Sequence, residues 1–187
     1  MTETQPYEVL ESFPRFELRR YPAHIVAEVE VTGSFEGAGN KAFGPLVSFI
    51  GGKNSTQHKV AMTAPVIQSD VASERIAMTA PVLQSEATAT DRYVVSFVMP
   101  ASYTIESVPK PDNPDIRLRE IPAHKAAVLR FTGRWSAKSY DEKAAQLRSM
   151  LSEQGFALAG PLQFARYDPP WTPWFMRRNE IVAPVAD

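Results

Sequence analysis

The segments "RRYPAHIVAEVEVTGSF" (residues 19–35) and "REIPAHKAAVLRFTGRW" (residues 119–135) lie 100 residues apart and share seven of 17 residues. In each, an alternating stretch ("FELRRY" from Phe16, "IRLREI" from Ile116) meets Pro-Ala-His, and a second apolar stretch then ends at Thr-Gly. The alternation predicts strands, and the proline marks a bend between them. The chain is therefore predicted to contain two similar halves, each opening with a strand pair.

A helix is predicted after each strand pair, over residues 35–50 and residues 139–154. The second helix has a capping box, Ser139 with Glu142, and Gly155 at the position that follows its last turn. Its apolar residues form one line, whereas those of the first helix form two: Tyr140/Ala144/Leu147/Leu151 against Ala42/Leu46/Phe49 and Phe43/Val47/Ile50. The wider apolar face of the first helix indicates either deeper burial or a ligand that covers it.

Later strands are predicted in "YVVSFVMP", "LQFARY" and "NEIVAPV". The elements together indicate an α+β fold, in which two pseudo-symmetric halves (about residues 7–107 and 116–185) form a distorted antiparallel β-barrel flanked by two α-helices. The proline-rich segment 108–115 connects the halves, and residues 1–187 are predicted to form a single domain.

A second duplication lies inside the first half, where "KVAMTAPVIQ" (residues 59–68) is nearly repeated by "RIAMTAPVLQ" (residues 75–84). The polar stretch between the copies predicts a β-hairpin, with its prolines at an edge or bulge. Duplication of a strand that already fits the sheet is favoured over a ligand-binding role for Met62 or Met78, because methionine is adaptable packing material.

Composition excludes several kinds of site. The chain has no cysteine, which excludes disulfides and thiolate metal sites, and its net charge of −1 disfavours nucleic acid as a partner. No stretch approaches the roughly 18 apolar residues of a membrane span, so we expect a soluble, cytoplasmic protein. The three histidines lack metal-motif spacing, and a structural role at the matching bends is favoured for His24 and His124. No catalytic motif is visible, and we expect a binding protein rather than an enzyme.

The closing segment "YDPPWTPWFMRRNE" (residues 167–180) places aromatic side chains in a proline-stiffened loop beside Arg177 and Arg178. This combination suits a flat, apolar ligand that carries carboxylates, although such loops also plug the ends of barrels. Because neighbouring residues of an extended segment point to opposite faces, we expect Arg177 to face ligand or solvent and Arg178 to face the protein, with Glu180 as a candidate partner.

"KVAMTAPV", the "FVMP" strand and above all Tyr-Asp-Pro-Pro followed by Arg-Arg-Asn-Glu resemble the SOUL haem-binding family, over about residues 7–185. The resemblance implies non-covalent binding of haem or another tetrapyrrole between the first helix and the closing loop. The positions that it implies for ligand contact are Lys41, Phe43, Val47, Tyr167, Trp171, Trp174, Phe175, Met176 and Arg177.

Three positions depart from the family pattern. Asn40 and Ser48 stand where relatives carry cations, and Arg20 stands where one branch has a candidate iron-ligating histidine. The resemblance implies a carrier or buffer of haem. Two alternatives stay open: a small-molecule hydrolase or modifier on the same duplicated scaffold, and a protein-interaction module that uses Trp171 and Trp174.

Overall fold

A computed structural model describes residues 3–57, 59–70, 92–168 and 171–186. Its two helices are α1 (Phe35–Ile50) and α2 (Ala137–Glu153), and a short 3₁₀ turn covers Trp174–Met176. The strands are β1 (Glu3–Thr4), β2 (Glu8–Ser12), β3 (Glu17–Tyr21), β4 (His24–Thr32), β5 (Thr63–Ala64), β6 (Val66–Asp70), β7 (Arg92–Val98), β8 (Ile116–Ile121), β9 (His124–Thr132), β10 (Gln163–Arg166) and β11 (Arg178–Val185).

Nine of these strands form one curled antiparallel sheet in the order β2-β3-β9-β11-β10-β6-β7-β4-β8. The strands β1 and β5 form a separate, short parallel pair. The sheet curls into a half-barrel with two helices packed on it, which confirms the predicted α+β class and its two pseudo-symmetric halves. Among the described helices, none is long and apolar enough to cross a membrane.

The predicted strand pair within each half is wrong, because the halves exchange their first strands. Strand β3 pairs with β9, in the register Tyr21↔His124, and β4 pairs with β8, in the register His24↔Ile121. A two-residue hairpin needs positive φ angles, which the proline of Pro-Ala cannot adopt. The two strands that flank each Pro-Ala bend therefore do not pair with each other, and each pairs with a strand of the other half.

The first helix has the predicted bounds, and Ser34 caps it by accepting a 3.1 Å hydrogen bond from the Gly37 amide. The second helix starts two residues before its predicted start. Its cap is Ser136, whose Oγ accepts from the Ser139 amide at 3.2 Å, so the predicted capping box at Ser139 is wrong. Ser136 has the extended backbone that a cap requires. Gly155 follows the helix with φ of 77°, as predicted.

Strand alternation divides the side chains between two faces of the sheet. On the helix face, α1 and α2 each cover an apolar cluster; Phe97 belongs to the first cluster and Phe164 to the second. We call the other side the histidine face, because His24 and His124 lie there beside a smaller cluster around Tyr21. Side chains adjacent in sequence along a strand therefore serve different sites.

The first copy of the doubled segment forms β5 and β6, with a cis peptide bond between Ala64 and Pro65 at the break. Strand β6 lies inside the sheet between β10 and β7, and the half-buried Met62 packs against the α1 cluster. The second copy, including Met78, lies outside the described residues, so the predicted hairpin stays a prediction.

Candidate functional site

A cavity of about 570 Å³ lies on the helix face between the first turns of α1, the connection from β9 to α2 and the loop that precedes β11. We call it the arginine–tryptophan cavity. Its lining residues are Glu36, Asn40, Arg134, Trp135, Ser136, Arg166, Trp171, Thr172, Pro173, Trp174 and Arg177. Its volume is in the range of small-molecule sites, about 300 to 1,000 Å³.

The cavity holds one buried cation, Arg166, which is 8% exposed. Its Nη2 donates to Gln68 Oε1 at 2.8 Å, while its Nε has no hydrogen-bond partner within the described part of the chain. No described carboxylate forms an ion pair with it. Burial, and then the nearby charge of Arg177, lowers the pKa of Arg166 to about 10. A buried guanidinium without an acid is costly, and an anionic ligand would supply the missing partner.

Gly39 on α1 makes room for this guanidinium. A Cβ atom built on Gly39 would lie 2.4 Å from Arg166 Nη1. Only glycine therefore allows the arginine to approach the helix so closely without displacement.

Trp135 lies between two arginines. The guanidinium carbons of Arg177 and Arg166 lie 4.2 and 4.9 Å from its ring centre, within the range of cation–π attraction. Its indole Nε1 donates to Asn179 Oδ1 at 2.8 Å, which fixes the ring. Arg177 itself donates from Nε to the Thr172 carbonyl at 2.8 Å and so ties the closing loop to the cavity wall.

Charge in the cavity is unbalanced, with three guanidinium groups against one carboxylate. That carboxylate, Glu36, accepts a 2.8 Å hydrogen bond from the Ala137 amide at the start of α2, and this bond lowers the pKa of Glu36. Arg134 lies over Trp174, with 5.3 Å from its guanidinium carbon to the ring centre. The cavity is therefore positively charged with aromatic walls, which suits an aromatic anion.

Three of the nine predicted contact residues, Trp171, Trp174 and Arg177, line this cavity together. Phe43 lies on the same helix face as Asn40, one turn farther along α1; it is 42% exposed and its ring centre lies 5.9 Å from that of Phe97. Val47 follows one turn later and is half-buried against the α1 cluster. Neither of these two helix positions lines the cavity.

The structure separates Lys41 and Tyr167 from the cavity. Lys41 Nζ donates to the Thr32 carbonyl at 2.7 Å, because a residue next to Asn40 on a helix points about 100° away from it. Tyr167 directly follows Arg166 in the chain, so its side chain lies on the histidine face, where its hydroxyl donates to Glu180 Oε2 at 2.8 Å.

The 3₁₀ turn beside the cavity exposes apolar side chains. Phe175 and Met176 do not line the cavity and are 59% and 64% exposed, and Trp171 is 82% exposed. Together with Trp174 they make an exposed apolar surface beside the cavity. Such a surface beside charged residues is typical of an interaction site.

Arg178 points away from the cavity, as predicted from the alternation. Its Nη2 lies 2.7 Å from Glu180 Oε1, and the fully buried Glu180 also accepts from Arg19 Nη1 at 3.0 Å. Burial, and then the Glu180 charge, raises the pKa of Tyr167; burial also raises the pKa of Tyr21 to about 12. These residues form a network of hydrogen bonds and ion pairs around the buried Glu180 on the histidine face.

Sequence reasoning did not single out Arg134, Trp135 or Arg166. Trp135 is the repeat equivalent of Phe35, and Arg166 continues the alternation of Leu162 and Phe164 in a predicted strand. Both positions therefore have the pattern of residues that pack in the core. A buried polar residue in an otherwise apolar alternation is the signal that could have identified Arg166.

The histidine face carries a second, smaller cavity of about 230 Å³, which both His24 and His124 line. Burial lowers the pKa of His24, and the nearby His124 lowers it further, whereas the hydrogen bond to the Pro22 carbonyl opposes the shift. Within the described residues, no group of three or more histidine, cysteine or acidic side chains is arranged to hold a metal ion.

Comparisons with known proteins identify the family and the fold. The chain is 26% identical over 167 residues to heme-binding protein 1 of Xenopus tropicalis, with 89% of this chain and 81% of that protein covered. The C-terminal domain of EcmrR has a TM-score of 0.66 at 14% identity, covering 97% of this chain and 98% of that one. A hydrolase from Listeria innocua has a TM-score of 0.60 at 10% identity, covering 95% and 94%. These two structures share the fold alone. The model of the family described as SOUL heme-binding protein matches residues 2–184, and the chain belongs to that family.

Proposed function

We propose that this protein binds haem, or a related tetrapyrrole that carries carboxylates, non-covalently at the arginine–tryptophan cavity, and acts as a carrier or buffer rather than as an enzyme. The observation that carries the proposal is the buried Arg166, which lacks an acidic partner among the described residues and faces a cavity of ligand size. Family membership supports a tetrapyrrole as the ligand.

Electrostatics define the polar end of the site. Two propionates would bring two negative charges to Arg134, Arg166 and Arg177, where Glu36 already neutralises one positive charge. The sum is close to zero, so the ligand would remove the excess charge of the free protein. Arginine suits this role because its fork binds a carboxylate through two parallel hydrogen bonds.

Aromatic and apolar side chains define the other end. Trp171 and Trp174 line the cavity, and Phe43 and Val47 lie about one and two turns farther along α1 than the lining residue Asn40. A porphyrin laid across them would cover apolar surface that the free protein exposes. We expect Phe175 and Met176, which are exposed beside the cavity, to contact the outer edge of such a ligand, whereas Lys41 and Tyr167 are engaged elsewhere.

The exposure of Trp171 also favours a second candidate, a surface that binds another protein through the tryptophan loop. The buried Arg166 argues for the tetrapyrrole, because a protein partner that docks on the loop would leave this cation without an acid. Binding of a carboxylate-bearing porphyrin separates the two functions.

The test is a Soret-region titration of the protein with ferric haem, with iron-free protoporphyrin and with protoporphyrin dimethyl ester. Arg134→Gln and Arg177→Gln should weaken the binding of the two acids and reduce its salt sensitivity, since screened ion pairs lose strength as ionic strength rises. The ester should bind wild type and variants alike. Arg148→Gln, an exposed change of equal charge on α2, is the matched control.

Two outcomes would contradict the proposal: no spectral change with haem or protoporphyrin, or equal affinity of all arginine variants for both acids. The carrier role has its own measurement, the rate at which the loaded protein releases haem to an excess of apomyoglobin. A complex that does not release haem on the timescale of hours would oppose a carrier.

A further inference from the structure

The second cavity lies where the two halves exchange strands. His24 and His124 are repeat equivalents at the two Pro-Ala-His bends, and their ring centres lie 5.9 Å apart. Each ring places Nδ1 2.9 Å from the carbonyl oxygen of the proline two residues earlier, Pro22 or Pro122. The pseudo-twofold relation of the halves therefore brings two identical imidazole arrangements to one cleft of about 230 Å³.

The proline carbonyls fix the state of both rings. A carbonyl oxygen only accepts, so each Nδ1 must carry the hydrogen, and in the neutral imidazole the lone pair is then on Nε2. Neither Nε2 has a hydrogen-bond partner among the described residues. Tyr21 stacks on His124 with 5.5 Å between ring centres and 21° between planes, which holds that ring in place.

We propose that the Nε2 atoms of His24 and His124 together bind one divalent transition-metal ion of the Zn²⁺ or Cu²⁺ class, with water completing its coordination. A ligating histidine characteristically donates its other ring N–H to a backbone carbonyl or carboxylate, and both histidines do so here. With metal–nitrogen bonds of about 2.0 to 2.1 Å, two imidazoles on one ion have ring centres roughly 5 to 6.5 Å apart. The observed separation is within that range.

The surroundings tolerate a cation. Arg119 is a charged group that lines the cleft and acts on His24, but its Nη2 lies 3.0 Å from Glu28 Oε2, which offsets part of its charge. Gln5 and Gln163 add neutral side chains to the lining. Imidazole nitrogen is a preferred ligand of zinc and copper, whereas magnesium and calcium prefer oxygen, and this donor set therefore selects the first class.

This metal site is independent of the proposed tetrapyrrole site, since the two cavities lie on opposite faces of the sheet. The experiment is an isothermal titration of the untagged full chain with Zn²⁺, in the absence of haem, followed by the same titration of His24→Asn and His124→Asn. Asparagine keeps a side-chain N–H at the position of Nδ1 for the proline carbonyl but has no atom equivalent to Nε2. His58→Asn, at the remaining histidine of the chain, is the matched control.

We expect one ion per chain, affinity reduced at least about tenfold by either single change, and no binding by the double variant. His58→Asn should bind as wild type does. Zinc should also shift the Nε2 resonances of His24 and His124 in a long-range proton–nitrogen spectrum of the imidazoles. Absence of stoichiometric binding by a folded wild type, or binding that survives the double change, would overturn the proposal, whatever the result with haem.

Discussion

Two buried arginines lie on opposite faces of one sheet, and they differ in whether a described acid pairs with them. Arg19, on the histidine face, is 2% exposed and meets Glu180 and Glu17 at 3.0 and 2.7 Å. Burial opposes its charged form, but Glu180 outweighs burial and raises the pKa of Arg19. Arg166, on the helix face, is almost as buried, yet its pKa is lowered and no described acid pairs with it.

The difference distinguishes a buried charge that stabilises the fold from one that is available to a ligand. A compensated ion pair is complete within the chain, and removing either partner leaves the other charge stranded. An uncompensated cation that faces a cavity costs stability in the free protein and gains its partner on binding. The repeat sharpens the comparison, because Arg119, the equivalent of Arg19, pairs with Glu28 near the surface.

The largest expected effect is loss of stability in Glu180→Gln. This change removes the buried acid that Arg19 shares with the half-buried Arg178 and leaves Arg19 only the partly exposed Glu17, so we expect a cost of about 3 to 5 kcal/mol in the free energy of unfolding, measured by urea denaturation. Glu28→Gln, which breaks the more exposed pair with Arg119, should cost less than about 1 kcal/mol. Similar values for both variants would mean that burial does not distinguish the two pairs.

Alkaline pH should weaken the histidine face next. Burial raises the pKa of Tyr21 to about 12 from the ordinary value of 10, so the unfolded chain loses this proton first. The stability that protonated Tyr21 contributes is therefore complete below pH 10 and is lost between pH 10 and 12, by about 2 to 3 kcal/mol. Urea denaturation across this range measures the loss, and Tyr21→Phe should reduce it, with Tyr167, whose pKa is also raised, accounting for the remainder. An ultraviolet titration in which all tyrosines ionise near pH 10 would contradict the prediction.

Arg166→Gln should affect ligand binding more than folding. We expect haem affinity to fall by about 1.5 to 3 kcal/mol, the contribution of a hydrogen bond to a charged group, while the free energy of unfolding stays within about 1 kcal/mol of wild type. Removal of an uncompensated buried charge offsets the lost bond to Gln68. Haem titration and urea denaturation of one preparation decide the matter: a large loss of stability with unchanged affinity would make Arg166 a structural residue like Arg19.

The smallest expected effect is that of Phe43→Ala on α1. The ring is already 42% exposed, so its truncation should cost well under the roughly 3 to 5 kcal/mol typical of a buried phenylalanine, and haem affinity should fall by about 1 kcal/mol. Val9→Ala, a similarly exposed apolar residue of β2, is the control and should leave affinity unchanged. A sharp fall in melting temperature with intact binding would assign Phe43 to the core.

The sequence by itself determined the α+β class, the bounds of α1 and the outward and inward assignment of Arg177 and Arg178. Each of these follows from periodicity or alternation within one segment, which local patterns encode directly. The family resemblance identified the closing loop for the same reason, because the residues of that loop are contiguous in the sequence.

Only the tertiary structure decided the strand exchange and the composition of both cavities. Pairing of β3 with β9 joins residues more than 100 positions apart, and no local pattern distinguishes it from a hairpin. Arg166, Trp135 and Gly39 come together from a strand, a connection and a helix, and whether the arginine has an acid depends on all three. Alternation placed Tyr167 and Arg166 on opposite faces, but only the packing of helices on one face decided which residue borders the ligand cavity.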